Sequence, residues 1–171
     1  MFSRNALVRR ANSTLSHIDA SGKAAMVNVS HKAPKHRTAR ACATVRFSNA
    51  GVVDQVARNA AAKGDVIAVA RLAAINAVKA TSSLIPLAHP LNATHIGVDF
   101  QLDESNRSLK ITCSAECVDR TGIEVEAMMG ASMAAVTVFD MCKAADKAIV
   151  ITDIKVLEKT GGKSDYKNVD Q

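Results

Sequence analysis

The chain of 171 residues contains no tryptophan, one tyrosine and four phenylalanines. Small α/β modules that bind nucleic acid stack bases on aromatic side chains of an open sheet. Tyr166 stands alone, and Phe47, Phe100 and Phe139 lie within apolar patterns, so nucleic acid is not the expected partner. No uninterrupted apolar run reaches the roughly 20 residues of a membrane-spanning helix, so no membrane is expected either. The four cysteines (Cys42, Cys113, Cys117 and Cys142) fall in stretches with strand or helix patterning. They lack a second pair at metal-ligand spacing, and a reduced thiol inside a cell or organelle fits them better than a disulfide scaffold. No metal and no cofactor is expected.

What the chain does have is positive charge and small apolar residues. A net charge of +6 favours anionic partners such as phosphates or nucleotides. A hydrophobic fraction of 48% suits one globular domain with a sizeable core. Residues 1–16 carry Arg4, Arg9 and Arg10, several Ser and Thr, and no acid. That composition is transit-peptide-like, though an ordinary basic N-terminus accounts for it equally well. The reading is therefore a basic segment over 1–16 and one domain over 17–171, working in the cytoplasm or the mitochondrial matrix.

The longest patterned stretch is TGIEVEAMMGASMAAVTVFDMCKAADK, residues 121–147. Alanine and methionine are strong helix formers. Thr121 with Glu124 three residues later matches a capping box, so a helix is expected over 122–146. Its middle is apolar nearly all round, which implies burial on most sides. Asp140 and Lys143 share a face near its end. Glu126 sits fourteen residues before Asp140, about 21 Å away along the axis. Either the two serve opposite ends of an extended ligand, or two copies of the helix contribute from different subunits. On spacing alone, Asp140 and Lys143 read first as a surface ion pair; the apolar run that they end also allows a tuned acid–base pair.

Residues 31–40, HKAPKHRTAR, read as a solvated basic loop or as an arm folding over an anion, with Arg37 and Arg40 suited to phosphate oxygens. Strands are expected over 41–48, 95–103, 108–118 and 148–158, the middle two joined as a hairpin. Helices are expected over 49–61 and 66–82, the second capped by Asp65. Lys63 precedes that helix in a Gly turn. The apolar loop LIPLAHPL, residues 84–91, is rigidified by two prolines and expected to be buried. Its His89 reads as a structural hydrogen-bonding residue or a ligand. Gly161-Gly162-Lys163-Ser164 lacks the leading Gly and following helix of a phosphate loop, and reads as a lysine-bearing arm. The order implies an α+β sandwich of ferredoxin-like type, with an antiparallel sheet and helices packed on one face.

Five motifs in this order carry a resemblance over His17 to Tyr166: Lys63-Gly64-Asp65-Val66, Leu84 to Pro90, Thr121 to Ala127, Phe139 to Ala144, and Gly161 to Ser164. Together they closely resemble the MoaC family, the cyclic pyranopterin monophosphate synthases of molybdenum cofactor biosynthesis. The resemblance implies a ferredoxin-like fold and a homohexamer, a trimer of dimers with sites at the dimer interface. It implies a substrate made by a radical S-adenosylmethionine enzyme, a cyclised dihydroguanosine triphosphate. The reaction rearranges it to cyclic pyranopterin monophosphate and releases pyrophosphate. Asp140, Lys143 and Lys63 match the family's catalytic residues. Leu87, Ala88, His89, Val125 and Glu126 match substrate-contacting positions, and Arg37, Arg40, Lys159 and Lys163 match basic residues of the arm and tail. Three departures stand out, one being the tail, which reads GGKSDY with no Gly after Ser164. Ala88 replaces the usual Cys, which leaves backbone contact as its role, and Asn28 stands where Asp is usual.

Overall fold

The computed structural model describes residues 17–18 and 22–168. The basic segment 1–16 lies outside them. The elements run β1 (Lys35–Arg46), α1 (Ala50–Ala57), α2 (Val66–Leu84), β2 (Ala93–Asp103), β3 (Ser108–Asp119), α3 (Glu124–Cys142), β4 (Val150–Thr160) and β5 (Tyr166–Lys167). The five strands form one antiparallel sheet in the order β2-β3-β1-β4-β5. Without β5 this is the expected ferredoxin-like arrangement.

Strand alternation decides which side is covered. In β1, Ala39, Ala41, Ala43 and Val45 are buried and belong to the core that includes α2 and α3. The partner residues Leu109, Ile111, Cys113, Ala115 and Cys117 of β3 are fully buried on the same side. Burial pushes the Cys113 thiol up to about 12 and the Cys117 thiol up to about 11, so both behave as small apolar residues.

Most elements fall where the periodicity predicts, with informative differences. β1 begins at Lys35, not at residue 41, so residues 35–40 of the expected arm are strand, paired from Lys35↔Asp119 onward. The alternating pattern continues through the charged residues because only one side of this strand needs to be apolar. The buried stripe of α2 is Val66, Ala70, Ala74, Ala77, Val78 and Thr81, and the expected Val69 is 42% exposed. The C-terminal tail is no free arm: β5 returns along β4, and the Gly161 amide donates to Asp165 Oδ1 at 3.1 Å. Gly161 has φ +79°, and a Cβ there would lie 2.1 Å from the His36 carbonyl oxygen, so this turn takes glycine alone. The proline-bearing loop is less covered than expected, with Leu84 53% exposed.

Two helices, α2 and α3, are long and apolar enough to cross a membrane by length and composition, which the uninterrupted-run criterion missed. Both are core helices here. They pack on each other and on the sheet, and they carry Arg71, Lys79, Glu126 and Asp140.

Two further features hold the helix layer. Asp146, buried at 4% exposure, accepts hydrogen bonds from the Ser48 amide (2.8 Å), Ser48 Oγ (2.7 Å), the Asn49 amide (3.3 Å) and the Ala148 amide (3.0 Å). Burial alone would raise its carboxyl, but these bonds outweigh it and hold it below the usual carboxylate range. Gly130 lets α3 approach β3 and α2, since a Cβ there would meet Cys113 Sγ at 2.4 Å and Val78 Cγ2 at 2.9 Å. Gly130→Ala gains about 1 kcal/mol of helix propensity but overpacks the core, at a cost of about 1–3 kcal/mol. The expected outcome is a net loss of stability in urea unfolding, partly recovered by Cys113→Ala in the same chain. A Gly130→Ala chain as stable as the parent would contradict this packing.

Candidate active site

Two groups of polar residues sit at opposite ends of α3. At its C-terminal end, Asp140 and Lys143 are one turn apart, and Lys63 reaches them from the turn between α1 and α2. Lys63 Nζ donates to Asp140 Oδ2 at 3.0 Å and to the Asp140 carbonyl at 2.8 Å. Lys143 Nζ donates to Asp140 Oδ1 at 2.6 Å. The expected trio is therefore assembled within one chain, 77 residues apart in sequence for Lys63 and Asp140. Hydrogen bonds from Lys143, then Lys63, hold the Asp140 carboxyl below its usual range. Asp140 thus stays a carboxylate that orients two amines and balances one of their charges.

The position of Lys63 is fixed locally. Asp65 caps α2, its Oδ1 accepting from the Ala68 amide at 2.8 Å. The chain is therefore committed to helix two residues after Lys63. The trio itself lies at the surface of the single chain, Asp140 being 54% exposed on its side chain. It is not the partly desolvated pair the apolar context suggested, because α3 turns this side away from the sheet.

At the N-terminal end of α3 the sequence prediction needs correcting in detail. Thr121 is not the cap: the N-cap is Ile123, which makes no side-chain capping bond, and the helix starts at Glu124 and ends at Cys142. The Glu124 carboxylate instead folds over Gly122 and meets Lys159 Nζ at 3.2 Å. Around it opens a cavity of about 580 Å³ whose wall includes Lys32, Lys35, Arg37, Arg120, Lys159 and Lys163. A second cavity of about 350 Å³ adjoins it, sharing Lys32, Thr121, Gly122 and Lys163 with the first. Leu87, Ala88, His89, Val125 and Glu126 all line this second cavity. The structure thus gathers the expected loop residues, the helix-start residues and the tail lysines at one place.

His89 Nε2 donates to the Val27 carbonyl at 2.8 Å, which fixes its tautomer and ties the loop to residue 27. Arg37 is 8% exposed, and donates from Nε to the Asp119 carbonyl at 3.0 Å and from Nη2 to the Arg120 carbonyl at 3.1 Å. Arg40 points to the opposite side of the sheet, where it pairs with Glu158 at 3.0 Å, and it lines neither cavity. Sequence reasoning singled out neither Lys32 nor Arg120 as a cavity residue. Arg120 Nε donates to the Lys32 carbonyl at 3.0 Å, joining two segments 88 residues apart. Only the density of basic residues around Lys32 hinted at it. Among the described residues no cluster of three His, Cys, Asp or Glu is placed to hold a metal ion.

Among the described residues Glu126 is the one acid buried in this region, at 4% exposure. Burial, reinforced by the charge of Glu124, pushes its carboxyl up to about 7 against the pull of a backbone hydrogen bond. The unfolded chain releases this proton near 4.5, the folded chain near 7. Stability therefore falls as pH rises between those values and is flat above them. Glu126→Gln removes the effect. It should leave stability unchanged at pH 4 and raise it by about 2–3 kcal/mol at pH 8, read as urea midpoints at the two pH values. Equal midpoint shifts at both would contradict a buried, raised carboxyl.

The model of the MoaC family matches residues 26–162. A cyclic pyranopterin monophosphate synthase of Pelobacter propionicus is 50% identical over 148 residues, 86% of this chain and 92% of that protein. One of Clostridium perfringens is 45% identical over 150 residues, 88% of this chain and 94% of the relative. The Arabidopsis thaliana protein, named as mitochondrial, is 49% identical over 152 residues, 89% of this chain but 56% of the relative's length. A match that runs from the strand before the first helix to the tail turn, with both ends of α3 inside it, means that this chain belongs to the MoaC family.

Proposed function

We propose that this protein is a cyclic pyranopterin monophosphate synthase in molybdenum cofactor biosynthesis, the activity for which its relatives are named. Residues 17–171 form the single catalytic domain, and 1–16 a basic segment preceding it. The substrate is the 3′,8-cyclised dihydroguanosine triphosphate delivered by a radical S-adenosylmethionine enzyme. The products are cyclic pyranopterin monophosphate and pyrophosphate, and the site of action is the cytoplasm or the mitochondrial matrix.

The observation that carries the reading is the pair of arrangements on α3: two amines on one carboxylate at one end, a cationic cavity at the other. Lysine and arginine side chains around the larger cavity bind the triphosphate, Lys159 and Lys163 among them. The smaller cavity takes the base-derived ring, against Leu87, Ala88, His89 and Val125. Glu126, its carboxyl pushed up to about 7, sits beside that ring with its negative charge reduced.

Lys63 and Lys143 move protons during ring opening and cyclic phosphate closure, each donating as an ammonium or accepting as an amine. Asp140 holds both Nζ atoms within hydrogen-bond distance of one carboxylate and so sets where those protons are delivered. Within one chain the trio lies about 21 Å along α3 from Glu126. A complete site therefore takes the trio of one protomer and the cavities of its neighbour, as in the trimer of dimers that the family resemblance implies. A neighbouring protomer over the exposed trio also removes it from bulk water.

The test is turnover of the cyclised nucleotide, followed by fluorescence of the oxidised pterin. Lys63→Ala and Lys143→Ala should each lower product formation by about 100-fold or more, with thermal midpoints near that of the parent. Near-normal turnover in either folded variant would remove it from the chemistry, and absence of turnover in the parent chain would sink the proposed function.

A further inference from the structure

The larger cavity has six lysines and arginines on its wall and one acid, Glu124. We infer that Glu124 is a built-in competitor for the polyphosphate site, a carboxylate that occupies Lys159 when no phosphate is bound and that limits how tightly phosphate is held. This rests on the proposed reading of the cavity as the site of the triphosphate, and it concerns release of the pyrophosphate product.

Three observations converge. First, Glu124 and Lys159 meet at 3.2 Å with side chains only 27% and 28% exposed, so the pair is sheltered from solvent and salt more than a surface pair. Secondly, Glu124 does no capping work. It is the first residue of α3, the N-cap position is taken by Ile123, which makes no side-chain capping bond, and the Glu124 carboxylate is turned to Lys159. Thirdly, the carboxylate has a seat made for it. A Cβ on Gly122 would lie 1.9 Å from Glu124 Oε2 and 2.6 Å from its Cδ, so the absence of a side chain at residue 122 leaves the space that the carboxylate fills.

The physical consequence follows from charge. A cavity lined only by cations binds pyrophosphate strongly and releases it slowly. A carboxylate within the wall neutralises one cation in the empty state. When phosphate enters, Lys159 exchanges one anionic partner for another, and Glu124 is left beside the ligand as a like charge, which weakens binding. When product leaves, the carboxylate returns to Lys159. Each pyrophosphate that departs is thus replaced by an internal anion at one of its contacts.

The experiment is calorimetric titration of the full chain with inorganic pyrophosphate, with orthophosphate as the smaller control. Glu124→Gln keeps the shape and removes the charge. Gly122→Ala keeps the carboxylate but displaces it, since the new Cβ meets only the movable end of that side chain. Both variants should bind pyrophosphate on the order of tenfold more tightly than the parent. Lys159→Ala added to Glu124→Gln should abolish the gain. Orthophosphate, which spans fewer of the cations, should gain less. If either folded variant binds pyrophosphate no more tightly than the parent, the competitor role is wrong. If Glu124→Gln fails to fold, Gly122→Ala decides alone. Binding is read without turnover, so this inference and the proposed activity can fail separately: a parent chain that turns over the nucleotide while both variants bind pyrophosphate as it does rejects only the competitor.

Discussion

The structure depends on how closely α3 can lie on the sheet. Its buried side includes Ala127, Gly130, Ala131, Ala134, Ala135 and Val138, and small residues of β1 and β3 share that core, among them Ala39, Ala41, Cys113 and Ala115. Small side chains on both surfaces bring the two backbones together, and dispersion across many short contacts replaces the few large aromatic contacts that this chain lacks. The helix so seated runs unbroken over nineteen residues. The distance between its ends is therefore fixed by the rise of an α-helix, and so is the separation between the Asp140 trio and the cationic cavities.

Electrostatics divides the work between those ends. At one, a single carboxylate satisfies two amines, and the hydrogen bonds to it keep it ionised. At the other, burial works in the opposite direction on Glu126 and favours the neutral acid. Two acids on one helix thus have their carboxyls shifted in opposite directions, because one is exposed and paired while the other is enclosed beside a like charge. The N-terminal dipole of α3 adds to the positive field of the surrounding lysines. A polyanion is drawn to that end, while the lysines at the far end are committed to Asp140.

Much of this was legible in the residues. The seven main elements follow from periodicity, the Asp65 cap and the 104–107 turn, and the Asp140–Lys143 contact follows from a spacing of three on a helix. What could not be read were outcomes decided by competition between partners. Thr121 with Glu124 matches a capping box, yet the helix starts at Glu124 itself, which takes it out of the third helical position, and its carboxylate meets Lys159 instead. Arg37 and Arg40 look alike in sequence, but strand alternation sends them to opposite sides of the sheet, and β1 had to start six residues early for that to matter. Asp146 follows an alanine pair and shows no pattern at all. Its role depends on Ser48 and Asn49, 98 and 97 residues away, which no local signal connects to it.

The order of strands has a consequence for how the chain is made. Among the described residues β1 is the first strand synthesised, and it ends in the middle of the sheet, flanked by β3 and β4. Neither neighbour exists until some seventy further residues have left the ribosome, and the second arrives later still. During that interval both edges of β1 are open to the wrong partner, the situation in which nascent chains aggregate. Its inward side offers little to stick to: three alanines and one valine, bracketed by arginines and a lysine. The alanine-rich surface that allows the tight seat for α3 in the finished protein also makes its earliest strand a poor nucleus for misassembly.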